Sequence, residues 1–258
     1  GRNVIGQEQA DQVESLENVV APEAALKKMI DKTAFAMANQ DVRYYLNGLL
    51  LDFRGGQLRA VATDGHRLAV CDLDKEVEVA EDRQLIVPRK GVLELARMLS
   101  GDDAEVTLAI GRNHIRLVKD DMTFTSKLID GRFPEYRAVI PKGTDRHIKL
   151  ERDSFMRALQ RAAILSNEKY RGIRFRLGKG LLQLQAHNPE QEEAEEAVPV
   201  EYQGDELEIG FNVSYLLDVL SVLSGEQVKL SLSDPNSSAL LEESESGDSL
   251  YVVMPMRL

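Results

Sequence analysis

The chain has 258 residues, of which 43% are hydrophobic and 29% are charged, a composition typical of a soluble globular protein of about two domains. Its single cysteine, Cys71, excludes an internal disulfide and lies in an apolar stretch, which favours a buried thiol over a nucleophile. The sequence contains no run of about 18 apolar residues and no signal-peptide pattern, so we expect neither membrane insertion nor export.

The net charge of −11 argues against nucleic acid at first sight, but the acidic residues are unevenly distributed. Between Gly180 and Val228 there are eleven Asp and Glu and no Lys or Arg. When those eleven are subtracted from the 43 acids of the whole chain, 32 remain, equal to the 32 Lys and Arg. The remainder of the chain can therefore carry a basic face. The acidic run Glu190–Glu196 is interpreted as a solvated loop, or alternatively as a patch that docks a basic surface or repels DNA.

In chain order, the first predicted elements are a tail, a helix and a hairpin. Residues 1–18 are polar and aperiodic, which predicts a tail or linker. Pro22 suits the first position of a helix that would bury a stripe formed by Leu26, Met29 and Ile30. The alternating runs Leu49–Phe53 and Gln57–Thr63 flank a Gly-Gly pair, which is typical of a β-hairpin.

The strongest organisational signal is an internal repeat. Residues Ile86–Gly101 and Ile209–Gly225 both read as strand, turn and helix, with Gly101 and Gly225 as the expected helix stops. The helix containing Phe155, predicted to be capped by Asp153 or Ser154, repeats the first helix. The repeat predicts an α+β fold of two tandem domains, each with two helices packed on antiparallel sheets. We place these domains at residues 19–136 and 137–258.

The last eight residues, Tyr251–Leu258, remain apolar and alternating to the last position. Most domains end in a polar tail, so this segment must cover or be covered by something. It either closes the core as a final strand or lines an apolar groove that receives a partner.

The residues that could carry chemistry do not form a recognisable active site. The four histidines, at positions 66, 114, 147 and 187, show no metal-ligand spacing, so we expect no metal and no cofactor. The best catalytic candidate is the pair Asp64 and His66, an acid and an imidazole close in sequence. Because Asp64-Gly65 is also a turn dipeptide, the stronger interpretation is structural, and we expect no enzymatic activity.

Basic residues recur on the predicted helices, at Lys28 and Lys32 on the first helix and at Arg157 and Arg161 on its repeat. Each pair alone is typical of a solvated face. Together with Arg89, Lys90 and Arg97 they indicate a basic surface that contacts phosphates without reading sequence. Tyr44 and Tyr45 either join that surface or pack at the start of a strand.

Several long segments of this sequence resemble the bacterial replicative DNA sliding clamp, the beta subunit of the replicative DNA polymerase holoenzyme. The resemblance extends from about residue 19 to the end and corresponds to the second and third domains of that family. The segments that carry it are Gln40–Gly48, Ala62–Val70, Ile86–Gly91, Thr125–Tyr136, Ala162–Lys169, Asn188–Glu196, Ile209–Leu220 and Val252–Leu258.

The resemblance implies a cytoplasmic bacterial processivity factor that encircles duplex DNA, tethers DNA polymerases, meets a clamp loader and catalyses nothing. In the family, a groove between the second and third domains receives a short apolar peptide from each client. The positions here that match the groove are Arg43, Leu46, Thr63, Gly65, His66, Arg67, Leu68, Pro134, Val139, Asn212, Tyr215, Ser238, Val252, Met254, Pro255, Met256, Arg257 and Leu258. The positions that match DNA-facing residues are Gln40, Tyr44, Tyr45, Arg89 and Lys90.

The sequence departs from the family pattern at Ala138 and Asn236 and contains no counterpart of the first domain. Ile164 and Leu165 match the edge that meets a first domain of a neighbouring subunit, and Glu192, Glu193, Glu195 and Glu196 lie near it. Without that partner we expect a truncated or short form that is monomeric or weakly associated, or else a ring of three copies with six domains. The alternative function is a peptide-binding module that does not encircle DNA.

Overall fold

A computed structural model describes residues 16–166, 169–244 and 247–258, which form two compact units. The amino-terminal unit comprises the chain up to Asp64 together with Val70–Pro134. The carboxy-terminal unit comprises Gly65–Ala69 and Glu135–Leu258. The five residues Gly65–Ala69 thus group with the second unit, whereas the sequence places them in a first domain that ends at residue 136.

Among its described residues, the amino-terminal unit contains two α-helices and two antiparallel sheets. Helix α1 is Glu23–Asp31 and helix α2 is Arg89–Met98. One sheet has the order β1-β6-β7-β8, and the other contains the neighbours β5-β2-β3. The strands are β1 Glu17–Pro22, β2 Gly48–Arg54, β3 Gln57–Thr63, β4 Arg67–Asp72, β5 Arg83–Pro88, β6 Glu105–Ile110, β7 His114–Lys119 and β8 Met122–Lys127. The first three residues of β4 are grouped with the carboxy-terminal unit.

The carboxy-terminal unit repeats this plan. Helix α3 is Arg152–Ala162 and helix α4 is Val213–Val222. Its sheets have the orders β12-β11-β10-β13 and β16-β15-β14-β9. The strands are β9 Arg146–Glu151, β10 Gly172–Gly178, β11 Leu181–His187, β12 Glu193–Pro199, β13 Leu207–Asn212, β14 Gln227–Leu232, β15 Ala239–Glu243 and β16 Ser249–Val253. The predicted α+β fold of two tandem domains with two helices each is confirmed.

The hydrophobic core of each unit is formed by apolar side chains that alternate along its strands and line one face of each helix. In the carboxy-terminal unit the rings of Phe155 on α3, Phe175 on β10 and Phe211 on β13 pack edge to face, with centroids 6.0 and 5.2 Å apart. The amino-terminal hairpin forms as predicted, because Gly55 and Gly56 adopt positive φ between β2 and β3. Cys71 is buried, as its sequence context indicates.

The predicted helix ends were wrong by a few residues. Helices α2 and α4 end before Leu99 and Leu223, and both leucines are extended and buried, so packing of the leucine ends the helix before the glycine. Helix α3 begins at Arg152 without a side-chain cap, and the main-chain NH of Arg152 donates to the carbonyl of Glu226 instead. Tertiary contacts here replace the local capping signals.

Two segments predicted as irregular are strands. Strand β1 begins at Glu17, two residues inside the predicted tail, because Glu17 and Asn18 pair with Ile110 and Ala109 of β6. Residues 1–15 lie outside the described residues. The acidic run predicted as a loop enters strand β12 at Glu193, where it pairs with β11 along one edge of its sheet.

A buried carboxylate links the start of α1 to the loop after α2. The Glu23 side chain is fully buried, and its Oε1 lies 2.5 Å from Lys119 Nζ and accepts hydrogen bonds from the NH and hydroxyl of Ser100. Burial alone would raise the pKa of Glu23, but the hydrogen bonds from Lys119 and Ser100 outweigh it and lower the pKa below its ordinary value. The charged form of Glu23 therefore stabilises the amino-terminal unit.

We expect Glu23→Ala to lower the free energy of unfolding by about 2–4 kcal/mol, because it leaves the Lys119 ammonium without its buried partner. Since the folded pKa is lowered, the contribution of Glu23 is complete above its ordinary pKa and is lost as the pH falls through the folded value. Urea unfolding at pH 7 and at lower pH measures both effects.

The matched control is Glu94→Ala, which removes an exposed carboxylate paired with Arg97 on α2. We expect it to change the unfolding free energy by less than about 0.5 kcal/mol. Equal effects of the two substitutions would contradict the role assigned to Glu23.

Candidate functional site

The terminal segment, residues 254–258, is held on the carboxy-terminal unit by two main-chain hydrogen bonds. The NH of Met254 donates to the carbonyl of His66 at 3.0 Å, and the NH of Met256 donates to the carbonyl of Gly210 at 2.8 Å. The predicted core role applies to the first part of the apolar run, whereas the role of its last residues in a groove stays a prediction. Residues 251–253 are buried in β16, whereas Met254, Met256 and Leu258 are 49%, 37% and 55% exposed.

The side chain of Leu258 lies directly against two glycines of neighbouring strands. A Cβ on Gly172 would stand 2.4 Å from a methyl of Leu258, and a Cβ on Gly210 would stand 2.6 Å from the Met256 carbonyl oxygen. Arg174 Nη2 donates to the carbonyl of Leu258 at 3.2 Å. The terminal segment therefore needs glycine at both positions to approach the sheet so closely.

A cleft of about 300 Å³, the terminal cleft, opens beside this segment. Its walls come from β10, β13, the turn after β14 and the terminal segment, through Arg174, Glu208, Ile209, Gly210, Pro235, Asn236, Met256, Arg257 and Leu258. Asn236 is placed here by a turn in which Asp234 accepts hydrogen bonds from the hydroxyl of Ser237 and the NH of Asn236. These hydrogen bonds lower the pKa of Asp234 and keep the turn charged.

On the other side of Met254, an aromatic and ionic cluster organises the residues after the Asp-Gly turn. The rings of His66 and Tyr215 are stacked, with centroids 6.3 Å apart. The Arg67 guanidinium lies 4.7 Å from the Tyr215 ring centroid, and its Nη1 lies 2.6 Å from Asp218 Oδ2. Tyr215 and Asp218 are three residues apart on α4 and face the same way. Helix α4 thus orients both His66 and Arg67.

The start of α4 is itself fixed by side-chain hydrogen bonds. The Asn212 Oδ1 accepts from the NH of Ser214, which is an N-cap interaction. The guanidinium of Arg171 donates to the hydroxyls of Ser214 and Ser166. Two predicted site residues, Asn212 and Tyr215, are therefore held in one orientation by local structure.

The other predicted groove residues differ in access. Leu46, Leu68 and Val252 are buried, so their side chains are not accessible to a ligand in the described structure. Gly65, Arg257, Pro134 and Val139 are exposed, and Thr63, Pro255 and Ser238 are partly exposed. Arg43, Leu46, Thr63 and Pro134 belong to the amino-terminal unit, and their membership of a groove stays a prediction.

The loop that carries Tyr44 and Tyr45 is ordered by its own polar groups. Asn47 and Asp41 exchange hydrogen bonds between side chain and backbone, and Arg43 donates to both carboxylate oxygens of Asp41. The hydrogen bonds and charge of Asp41 raise the pKa of Arg43. Tyr44 is 55% exposed and meets the Tyr45 ring edge to face at 5.6 Å. The loop presents one tyrosine to solvent and half-buries the other.

The predicted basic surface is present only in part. Gln40 and Lys90 are exposed, and Arg89 is half-buried with its Nη1 3.5 Å from the Met37 carbonyl. Lys32 is only 5% exposed, because it follows the end of α1 and turns inward, so the predicted exposed pair of Lys28 and Lys32 was wrong.

On the carboxy-terminal unit, the edge near α3 combines apolar and acidic residues. Arg161 donates two hydrogen bonds to the carboxylate of Glu196 on β12, at 2.9 and 3.1 Å. Ile164 is 79% exposed and Leu165 is partly exposed in the turn after α3. An isoleucine exposed to this extent beside an edge strand is a surface that another element can cover.

The residues described by the structure include no group of three or more His, Cys, Asp and Glu positioned to hold a metal ion. None of the described helices is long and apolar enough to span a membrane.

Sequence reasoning missed four residues that shape the site, namely Asp218, Gly172, Gly210 and Arg174. Asp218 could have been found from the sequence, because it lies three residues after Tyr215 on a predicted helix and therefore on the same face. Nothing in the sequence indicates that Leu258 packs on Gly172 and Gly210, because these residues meet only in the folded chain.

Comparison with protein families assigns both units. Residues 21–135 match the model of the DNA polymerase III beta subunit central domain, and residues 137–257 match the model of its C-terminal domain. The chain belongs to the DNA polymerase III beta subunit family.

Curated relatives are beta sliding clamps. That of Pseudomonas aeruginosa is 59% identical over 241 residues, which is 93% of this chain and 66% of the relative. That of Escherichia coli is 54% identical over 237 residues, which is 92% of this chain and 64% of the relative. The chain thus spans a little under two thirds of the length of these relatives.

Solved structures agree with this assignment. A crystal structure of the DNA polymerase sliding clamp from Pseudomonas aeruginosa matches with a TM-score of 0.92 at 59% identity, covering 95% of this chain and 68% of that one. A sliding clamp from Bartonella birtlesii bound to griselimycin matches with a TM-score of 0.89 at 37% identity, covering 95% and 67%.

We expect Gly210→Ala to displace the terminal segment, because the new methyl would collide with the Met256 carbonyl and the Leu258 side chain. The Met256 amide would lose its hydrogen bond, and its hydrogen exchange should quicken by at least about tenfold. Gly178→Ala is the matched control, since a Cβ there meets no atom within 4 Å. Unchanged protection at Met256 in Gly210→Ala would contradict the close packing.

Proposed function

We propose that this chain is a sliding-clamp subunit that holds client proteins through a peptide groove walled by the terminal segment. One observation carries the proposal: Met254, Met256 and Leu258 are exposed although their backbone is pinned to His66 and Gly210. An exposed apolar wall on a fixed backbone suits the binding of short apolar peptides. The family assignment and the fit to sliding-clamp structures support it.

Methionine suits a groove that must accept different clients. Its unbranched, polarizable side chain repacks around different partners at little cost, and two of the three exposed apolar residues of the wall are methionines. His66 and Arg67, oriented by Tyr215 and Asp218, supply a polar end to the same surface. The polar Asn236 in the terminal cleft is where client preference would depart from that of relatives.

The proposed DNA contacts are Gln40, Tyr44, Tyr45, Arg89 and Lys90 on the amino-terminal unit. Their role is weak, sequence-independent contact with phosphates, since a sliding tether must not read bases strongly. The ordered loop that exposes Tyr44 supports this role. The proposed partners are duplex DNA, polymerases and a clamp loader in the bacterial cytoplasm, and no catalytic step is assigned to Asp64 or His66.

A peptide-binding module that does not encircle DNA is the second candidate. It is favoured by the supports of the terminal segment, His66 and Gly210, which both lie in the carboxy-terminal unit, so that peptide binding there needs no second subunit. The exposed Ile164 marks the edge that another subunit would cover in a ring. A ring built from this chain needs that edge to close head to tail with a second copy.

We expect Met254→Ala to weaken binding of a fluorescein-labelled peptide that carries the clamp-binding motif of a bacterial polymerase by at least about fivefold. The substitution removes one of the three exposed apolar side chains of the wall. Deletion of residues 256–258 should weaken it further. Fluorescence anisotropy measures both affinities.

Met122→Ala is the control, because Met122 lies on β8 of the other unit and has the same 49% exposure as Met254. It should leave the affinity unchanged. Equal affinities of the parent and Met254→Ala for the peptide would remove the groove assignment.

We expect sedimentation over a dilution series to decide between the two candidates. A stable trimer that stays on circular DNA and is released when that DNA is linearised supports a ring. A monomer at micromolar concentration that still binds the peptide supports the module, because peptide binding needs only the terminal segment and its supports.

A further inference from the structure

The amino-terminal unit contains a second cleft of about 300 Å³, which we call the arginine cleft. It is formed by the start of β5, the turn between β6 and β7, and the segment that follows β8. In the terminal cleft the corresponding parts are β13, the turn after β14 and the segment that follows β16. The internal repeat therefore builds the same kind of cleft twice.

A matching hydrogen bond establishes the correspondence. The NH of Ile129 donates to the carbonyl of Ile86, the fourth residue of β5, at 2.9 Å. The NH of Met256 donates to the carbonyl of Gly210, the fourth residue of β13, at 2.8 Å. In both units one main-chain bond fastens the segment after the last strand to the edge of the other sheet.

The two clefts differ in their charges. The arginine cleft is lined by Arg83, Arg112 and Arg132 and by one acid, Asp130. Its ionic lining is thus net positive by two charges in a chain whose net charge is −11. Such a local reversal of sign attracts anionic groups.

The guanidinium groups are available to a ligand to different degrees. Arg83 is half-buried and donates through Nη2 to the carbonyl of Gly111 at 2.9 Å, which fixes its position at the cleft wall. Arg112 and Arg132 are exposed, and neither forms a hydrogen bond or ion pair with any residue of the described ranges. Two unpaired guanidiniums beside a fixed one make a receptor for carboxylate groups.

Core side chains also line the cleft, among them Leu85, Leu128 and Phe133, beside the polar Gln84 and Asn113. A ligand that combines carboxylates with an apolar side chain fits this mixture. A nucleic acid strand fits it less well, because Phe133 is only 6% exposed and offers no ring face for base stacking.

We propose that the arginine cleft binds an acidic peptide segment of a partner protein, through salt links to Arg112 and Arg132 and insertion of one apolar side chain. The arginine cleft is thus a second proposed peptide-binding site. It lies on the amino-terminal unit and does not include the terminal segment. Its affinity falls as salt is raised, because exposed charges carry it.

The probe is a fluorescein-labelled peptide, Glu-Asp-Leu-Glu-Asp-Phe-Glu-Glu, with a Gln/Asn counterpart of the same length as control. Anisotropy titration of the full chain at low and high salt should show binding of the acidic peptide only. The double variant Arg112→Ala/Arg132→Ala should weaken it by at least about tenfold. Arg54→Ala removes an exposed arginine of the same unit outside the cleft and should leave the affinity unchanged.

Further measurements distinguish this proposal from the peptide groove, from unspecific attraction by charge and from nucleic-acid binding. Deletion of residues 256–258 should leave acidic-peptide binding intact, so failure of the peptide groove does not imply failure of the arginine cleft. Equal weakening by Arg54→Ala and by the double variant would show attraction by charge alone and overturn the proposal. Binding of a labelled ten-nucleotide dT strand that is lost in the double variant, without acidic-peptide binding, would overturn it in favour of nucleic acid.

Discussion

The structure of the candidate site depends on the two main-chain hydrogen bonds that hold the terminal segment, from Met254 to His66 and from Met256 to Gly210. They lie two residues apart, so they fix alternate residues of an extended chain. The side chains of Met254 and Met256 can then stay exposed although their backbone is held in one position. An exposed apolar segment requires this kind of anchorage to keep its backbone in one position.

Glycine is the second requirement of that anchorage. Gly172 and Gly210 lie on the neighbouring strands β10 and β13, and side chains there would collide with Leu258 and with the Met256 carbonyl. The exposed wall and the glycines beneath it are therefore one structural feature. The cluster of His66, Arg67, Tyr215 and Asp218 supports the other end of the segment from helix α4.

The internal repeat explains why the two units share a plan while their surfaces differ. Apolar periodicity and strand order recur because each unit must bury a core of the same shape. The exposed positions of the two clefts are under no such constraint, so Arg112 and Arg132 line one and Arg257, Glu208 and Asn236 line the other. Repeated folds with divergent surfaces allow one chain to hold two kinds of ligand.

The sequence by itself determined the α+β fold, the two tandem domains and the helix count, because period and spacing of apolar residues decide local structure. It placed the hairpin at Gly55-Gly56 correctly, since only glycine adopts positive φ there without strain. The resemblance to the sliding-clamp family, rather than the periodicity, placed the terminal run and His66 in one candidate surface.

Only the tertiary structure decided the details that depend on distant partners. Leu99 and Leu223 end their helices by entering the core, Lys32 turns inward, and Glu193–Glu196 pair into a strand. Each outcome overrides a local signal, because burial or strand pairing with residues far along the chain is worth more than a cap or a solvated charge. The packing of Leu258 on two glycines belongs to the same class, since it joins residues more than 40 positions apart.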